Sequence, residues 1–321
     1  MSDTANKTAL VLGATGGIGG EVASALLRRG WRVRALHRDP ATARRRSGLD
    51  LDWVSGDAMA ADSVAAAAKG VSLLVHGVNP PGYRNWPQLV LPMLDSSIRA
   101  AERAGARILL PGTVYNYGPD AFPAPAEDAP QHPLTRKGGI RVEMERRLEA
   151  AAARGVPVLI VRAGDFFGPR AANNWMGQGL VRPGQPVRSI TYPGRKGVGH
   201  LWAYVPDVAE TMARLVERAG SGFERFHMEG HWDPDGTAMI GAIRRAVGGD
   251  VPVRGLPWPV LGLLSPVVPL FRELWEMRYL WRRPLRLDNG RLVATLGAEP
   301  RTPLDEAVRT TLIGLGCLPA T

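Results

Sequence analysis

The chain has one cysteine, Cys317, which excludes an intrachain disulfide framework and any cysteine-based zinc site. Lysine is scarce too: Lys7, Lys69, Lys137 and Lys196 are the only lysines among 40 basic residues, so arginine carries the net charge of +10. Those arginines are spread along the chain without the aromatic-interleaved clusters of a nucleic-acid module. The charge therefore speaks to steering, and no nucleic-acid partner is expected. No uninterrupted run of about 18 apolar residues occurs. The nearest stretch, Leu256 to Phe271, is broken by Pro257, Pro259, Pro266 and Pro269, and MSDTANKTAL has neither a basic n-region nor an apolar h-region. A cytoplasmic protein with no membrane span is expected. His227 and His231 stand four apart, but Gly230 separates them and no third ligand or H-E-x-x-H pattern accompanies them, so no metal site is expected. Internal repeats and low-complexity linkers are absent.

What is present is a chain of 321 residues, 45% hydrophobic, long enough for one large α/β domain and a smaller appended lobe. Its most specific segment is Leu10 to Gly19, where an apolar strand runs into Gly13-x-x-Gly16-x-x-Gly19 and at once into a helix. Gly13 lets the chain leave the strand in a tight turn, Gly16 has no Cβ to hold a pyrophosphate away, and Gly19 allows close helix packing. With Thr15, Gly17 and Ile18 these glycines form a dinucleotide cradle, whose free N–H groups and helix dipole favour phosphate.

A strand–helix rhythm follows. Strands are expected at Thr8 to Leu12, Trp31 to Leu36, Leu51 to Ser55, Val71 to Val75, Ala106 to Leu110 and Pro157 to Val161. Helices are expected at Asp62 to Ala68, Pro87 to Ala104 and Gly139 to Arg154. Such alternation implies a Rossmann-type, doubly wound parallel sheet covered on both faces. The pattern predicts an NAD(P)-binding domain over 1–165, to which about 199–220 return through Leu201 to Val205 and Asp207 to Val216. Residues 166–321 are expected to form mainly a substrate-binding lobe, closing with a helix capped by Thr302 and carrying Pro303 at its first position.

The glycine spacing resembles that of the short-chain dehydrogenase/reductase superfamily, in its extended or atypical branch related to nucleotide-sugar epimerases and dehydratases. The resemblance implies an NAD(P) cofactor and a small-molecule carbonyl/alcohol substrate. At the end of the second strand Arg38 resembles the arginine of NADP-binding members, while Asp39 keeps NAD open. Arg44 to Arg46 stay open as added positive potential, although such a charge run is most simply a solvated face. Asp57 with Ala58 resembles the adenine-contacting stretch, although a turn cap is equally open to Asp57, and Val78 with Asn79 takes the place beside the cofactor ribose.

In the same family a Ser or Thr after the fifth strand works with Tyr-x-x-x-Lys on the next helix. Pro111 to Gly118 is similar to the first element and puts Thr113 on the catalytic hydroxyl. The second element is missing, because no tyrosine occurs between Gly118 and Thr191. If Glu145 keeps the family register, Arg141 stands where lysine should be and Lys137 where tyrosine should be. Arginine stays charged and cannot relay a proton. The candidate donors are Tyr115, Tyr117 and Lys137, with a lysine desolvated against Arg141 having a depressed pKa.

On the substrate side Arg162 to Pro169, including Asp165, resembles the family stretch between lobes, and Asn173, Asn174, Trp175, His200 and Tyr117 are expected near the ligand. Asp207 reads as a helix cap. For the apolar, tryptophan-rich segment Trp258 to Trp281, core packing, a homodimer contact and a hydrophobic lid all stay open. The reading is an oxidoreductase or an epimerase/dehydratase-like enzyme, with a non-catalytic NADP(H) sensor as the alternative.

Overall fold

The computed structural model describes residues 7–80, 85–170, 174–218 and 220–319. Its first half alternates β1 (Thr8–Leu12), α1 (Gly17–Arg28), β2 (Arg32–His37), α2 (Pro40–Ser47), β3 (Asp52–Ser55), α3 (Ala61–Ala67), β4 (Leu73–His76), α4 (Trp86–Ala104), β5 (Arg107–Thr113), α5 (Arg136–Ala153) and β6 (Val158–Ala163). There follow β7 (Asp165–Phe167), β8 (Ile190–Tyr192), β9 (His200–Tyr204), α6 (Val205–Val216), β10 (Phe223–His227), β11 (His231–Asp233), α7 (Ala238–Val247) and β12 (Val253–Gly255). The remaining helices are α8 (Trp258–Leu264), α9 (Pro269–Met277), α10 (Gly290–Leu296) and α11 (Leu304–Gly314).

The main sheet is parallel throughout, in the order β10-β6-β5-β4-β1-β2-β3. Period-two alternation gives each strand two apolar faces. Ala9, Val11, Val33, Val75 and Val161 pack with Val22 and Leu26 of α1 and with Val208 and Met212 of α6. Leu10, Leu12, Leu74, Ile108 and Ile160 pack with Leu94 of α4 and Leu148 of α5. Truncating one of these fully buried leucines to alanine costs about 2–5 kcal/mol. Because all strands run the same way, their carboxyl ends share one edge, the edge where doubly wound sheets bind ligands.

Two smaller sheets, β11-β9-β7 and β12-β8, stand beyond this edge around Phe167, Met176, Trp202, Ile243 and Leu312. The sequence pattern did not announce α2, although Asp39 as cap and Pro40 in the first turn are a helix start. The last helix begins after the expected point: Pro303 is its N-cap and Leu304 its first residue. Thr302 instead gives its N–H (2.8 Å) and Oγ1–H (2.7 Å) to the Asp207 carboxylate. Asp207 therefore ties α11's entrance to α6 and is not the cap of α6, whose N-cap is Tyr204.

Candidate active site

The cradle is built by three close backbone approaches. Gly13 has φ +87, and a Cβ there would meet the Gly77 carbonyl oxygen at 2.5 Å. At Gly19 a Cβ would overlap the Gly13 carbonyl, and at Gly77 it would lie 3.1 Å from Gly19 Cα. Glycine thus lets the turn after β1, the end of β4 and the first turn of α1 interlock. Gly16 is the N-cap and gives no side-chain cap, while no acidic residue occupies the first turn of α1. The first N–H groups of α1 therefore lack the usual side-chain acceptor, which suits a phosphate.

Beside the cradle lies a cleft of about 380 Å³ lined by Thr15, Gly16, His37, Thr42, Arg46, Ser47 and Arg170, among others. Arg38 is exposed and does not line it; the arginines that do are Arg46, also exposed and placed at the end of α2, and Arg170. Asp39 caps α2, its Oδ1 accepting the Thr42 N–H at 3.0 Å, and this holds its carboxylate below the usual range. Asp57 accepts the Met59 N–H at 2.9 Å, the turn contact that stood as its alternative reading. Ala58 and Val78 are half-buried and Asn79 is exposed along the same edge.

At the catalytic end, Thr113 closes β5. Its Oγ1 accepts the Tyr115 N–H at 3.3 Å, capping the short 3-10 turn Val114–Asn116 and holding Tyr115 immediately beside it. The Tyr115 hydroxyl donates to Asp165 Oδ1 at 3.3 Å, and Asp165 Oδ2 lies 2.9 Å from His200 Nε2. His200 in turn stacks on Trp281 with ring centroids 3.6 Å apart and planes 6° from parallel. Three strands and a C-terminal turn thus assemble Thr113, Tyr115, Asp165 and His200, a grouping that sequence spacing alone does not reveal.

Tyr117 goes elsewhere. It is fully buried, its hydroxyl accepting from Arg162 and lying 2.8 Å from His227 Nε2, and burial pushes it up to about 12. Arg162 also grips Glu145, which accepts the amides of Asn116 (3.0 Å) and Gln131 (3.1 Å). This network braces β6 against α5, so the expected substrate role of Tyr117 and its candidacy as proton donor give way to a structural one.

Lys137 and Arg141 stand one turn apart on α5, both over Trp86, at 6.0 and 5.3 Å from the ring centroid. Lys137 is buried and ion-paired with Glu273 of α9 at 2.8 Å. Its pKa is lowered, as expected, but burial is the cause and Glu273 opposes it; the anticipated repulsion from Arg141 is replaced by this partner. His76 ends β4: its Nδ1 meets Ser97 Oγ at 2.8 Å, and burial first, then Arg141, holds it down to about 3, a neutral imidazole. Asn174 is buried with its Oδ1 accepting the Gly177 N–H (2.8 Å) just before a π-helical turn whose N-cap is Trp175, and Trp175 packs on Trp281 with centroids 5.2 Å apart. Asn173 lies outside the described residues. Among the described residues, no group of three or more His, Cys, Asp and Glu could hold a metal ion, and no helix is long and apolar enough to cross a membrane.

The family model described as NAD(P)H-binding matches residues 13–183, which include the cradle, the cleft and the Thr113 turn. The chain belongs to the NAD(P)H-binding family. Its cofactor is accordingly a nicotinamide dinucleotide. Among solved structures, the chain is similar to MoeE5 in complex with UDP-glucose and NAD, at 20% identity and TM-score 0.75, covering 96% of this chain and 98% of that one. A putative epimerase from Burkholderia cenocepacia J2315 is similar at 19% identity and TM-score 0.76, with 97% and 98% covered. UDP-glucose 4-epimerase from Bifidobacterium longum, in complex with NAD+ and UDP, is similar at 14% identity and TM-score 0.72, with 97% of each chain covered. These likenesses show that this NAD(P)H-binding protein has an epimerase/dehydratase-like fold across nearly its whole length. No curated protein matches the sequence.

Proposed function

We propose that this protein is an NADP-dependent oxidoreductase of the extended short-chain type acting on a small carbonyl/alcohol substrate, with epimerase- or dehydratase-like chemistry open to the same site. The observation that carries the proposal is the run Tyr115–Asp165–His200 beside Thr113, on the sheet edge that also bears the cradle. The bound nicotinamide supplies a hydride acceptor or donor. Thr113 Oγ1 holds the substrate oxygen, and the Tyr115 hydroxyl gives that oxygen its proton on reduction or takes it on oxidation. Asp165 and His200 hold the exchangeable proton that restores Tyr115. Lys137 and Arg141, over Trp86, keep positive charge beside the ribose position.

NADP is favoured over NAD because Asp39 is committed to capping α2, while the residues lining the cleft include Arg46 and Arg170 and no carboxylate. Residues 166–321 supply mainly the substrate lobe, with about 199–220 returning to the cofactor domain as α6 packs on α1, and β10 beyond them adding the outermost strand of the main sheet beside β6. The substrate class is that of the small polar organic molecules such aromatic-walled sites hold.

The test is NADPH binding by fluorescence, followed by NADPH consumption over a panel of aldehydes, ketones and nucleotide-sugars, with Thr113→Ala and Tyr115→Phe alongside. Turnover should fall roughly 100-fold or more in each variant while NADPH binding is kept. Tight binding without turnover across the panel refutes the catalytic reading, and turnover indifferent to both substitutions refutes the site.

A further inference from the structure

Helices α8 and α9 lie side by side. The rings of Trp258 and Trp275 are 6.5 Å apart, and Gly262 leaves the room that Trp275 fills. The two ring planes are 60° apart, an edge-on contact, and the Arg278 guanidinium lies 3.4 Å from the centroid of the Trp275 ring. The pair turns apolar side chains to solvent: Leu263 is 80% exposed, Val267 75%, Val260 51% and Leu264 37%. Four such residues within eight positions make a patch, not scattered exposure.

The charge around this patch has one sign. No Asp or Glu occurs between Asp250 and Glu273, Glu273 is committed to Lys137, and Glu276, the other acid on α9, is only partly exposed with its Oε2 buried, so the fully exposed charge beside the patch is positive. Arg254, which precedes α8, Arg272 on α9, and Arg282 and Arg283 just after it are exposed, and none of the four is in an ion pair among the described residues. A second copy placed on the patch by a two-fold axis would set these arginines against their own equivalents. An anionic lipid surface would satisfy both the arginines and the apolar side chains. The helices are 7 and 9 residues long. At about 1.5 Å per residue neither reaches half of a roughly 30 Å hydrocarbon core, so they suit the interface plane.

We propose that the α8–α9 tip docks the protein on an anionic phospholipid surface, with Val260, Leu263, Leu264 and Val267 at the headgroup–acyl boundary and the four arginines on lipid phosphates. The full chain is sedimented with phosphatidylcholine vesicles with and without phosphatidylglycerol, and its oligomeric state is measured by sedimentation velocity. The wild type should pellet with the anionic vesicles. The double variant Leu263→Glu/Val267→Glu, whose sites are already exposed, should unfold at the wild-type temperature and bind roughly tenfold or more weakly. Arg282→Gln should weaken binding about fivefold and Arg283→Gln similarly, with added salt doing the same. Absence of vesicle binding by the wild type, or binding untouched by the Leu263/Val267 variant, overturns the proposal. A dimer that this variant dissociates, with no vesicle binding, overturns it in favour of a second copy.

Discussion

Acidification should unfold this protein through three imidazoles that the fold holds neutral. His76 is 2% exposed, His227 0% and His231 6%. Burial is the first cause of each shift, taking His76 and His227 down to about 3 and His231 to about 4 from an ordinary 6.5. Nearby arginines, Arg141, Arg162 with Arg225, and Arg301 respectively, push the same way. Since the folded values are depressed, the unfolded chain binds the extra protons. The stability is therefore fully present above pH 6.5 and is lost as the pH falls toward the folded values. At about pH 5 the unfolded imidazoles are protonated and the folded ones are not, which is about 1.5 pH units each, or about 2 kcal/mol. This figure depends only on each folded pKa lying well under 5. Three such groups remove about 6 kcal/mol, comparable with the whole stability of a typical domain. Denaturant midpoints at about pH 7.5 and about pH 5 measure the loss, and the slope of stability against pH should correspond to the uptake of about three protons. In His76→Gln the slope should fall by about one proton. Equal stability at the two pH values would refute the reasoning.

Gly19→Ala and Gly16→Ala should separate stability from cofactor binding. At Gly19 the new Cβ overlaps the Gly13 backbone, which cannot swing aside, so thermal unfolding should report a loss of about 1–3 kcal/mol as well as weakened NADPH binding. At Gly16 the new Cβ stands 3.3 Å from Gly13 O, so the melting temperature should stay within a few degrees while NADPH titration shows the weakening. Asp207→Ala removes both hydrogen bonds to Thr302, leaving two donors at the entrance of α11 without their partner, and chemical denaturation should show a loss of about 2–4 kcal/mol.

The cofactor half was legible because its determinants are local. β1 is found at Thr8–Leu12 as the apolar run predicts, and Gly13, Gly16 and Gly19 act within one turn of it. The catalytic half was less legible because its contacts span the chain. Tyr115 meets Asp165 across 50 residues, and Asp165 meets His200 across 35, through the pairing of β7 with β9. Arg46 was less legible for a different reason: its arginine run looks most like a solvated face until Asp39 and Pro40 are read together as a helix start. Tyr117 shows the converse error. Its motif position suggests the pocket, but a backbone turn between Thr113 and Tyr117 sends the one tyrosine to Asp165 and the other to Arg162.

The position that the family resemblance would assign to a catalytic tyrosine has an electrostatic consequence for where protons can move. Lys137 is buried there and needs Glu273, since an isolated ammonium in that setting would be costly. A carboxylate brought in to satisfy the lysine occupies the space beside it and ties α9 down over α5. Arg141 remains charged and His76 remains neutral, so neither exchanges protons near neutrality. The α5 side of the edge is thus set for holding charge. In the proposed mechanism proton exchange falls to the opposite wall, where Asp165 bridges Tyr115 and His200 and the imidazole lies flat against Trp281. In that mechanism the positive charge thus stays on α5, while the acid is supplied from β5, β7 and β9.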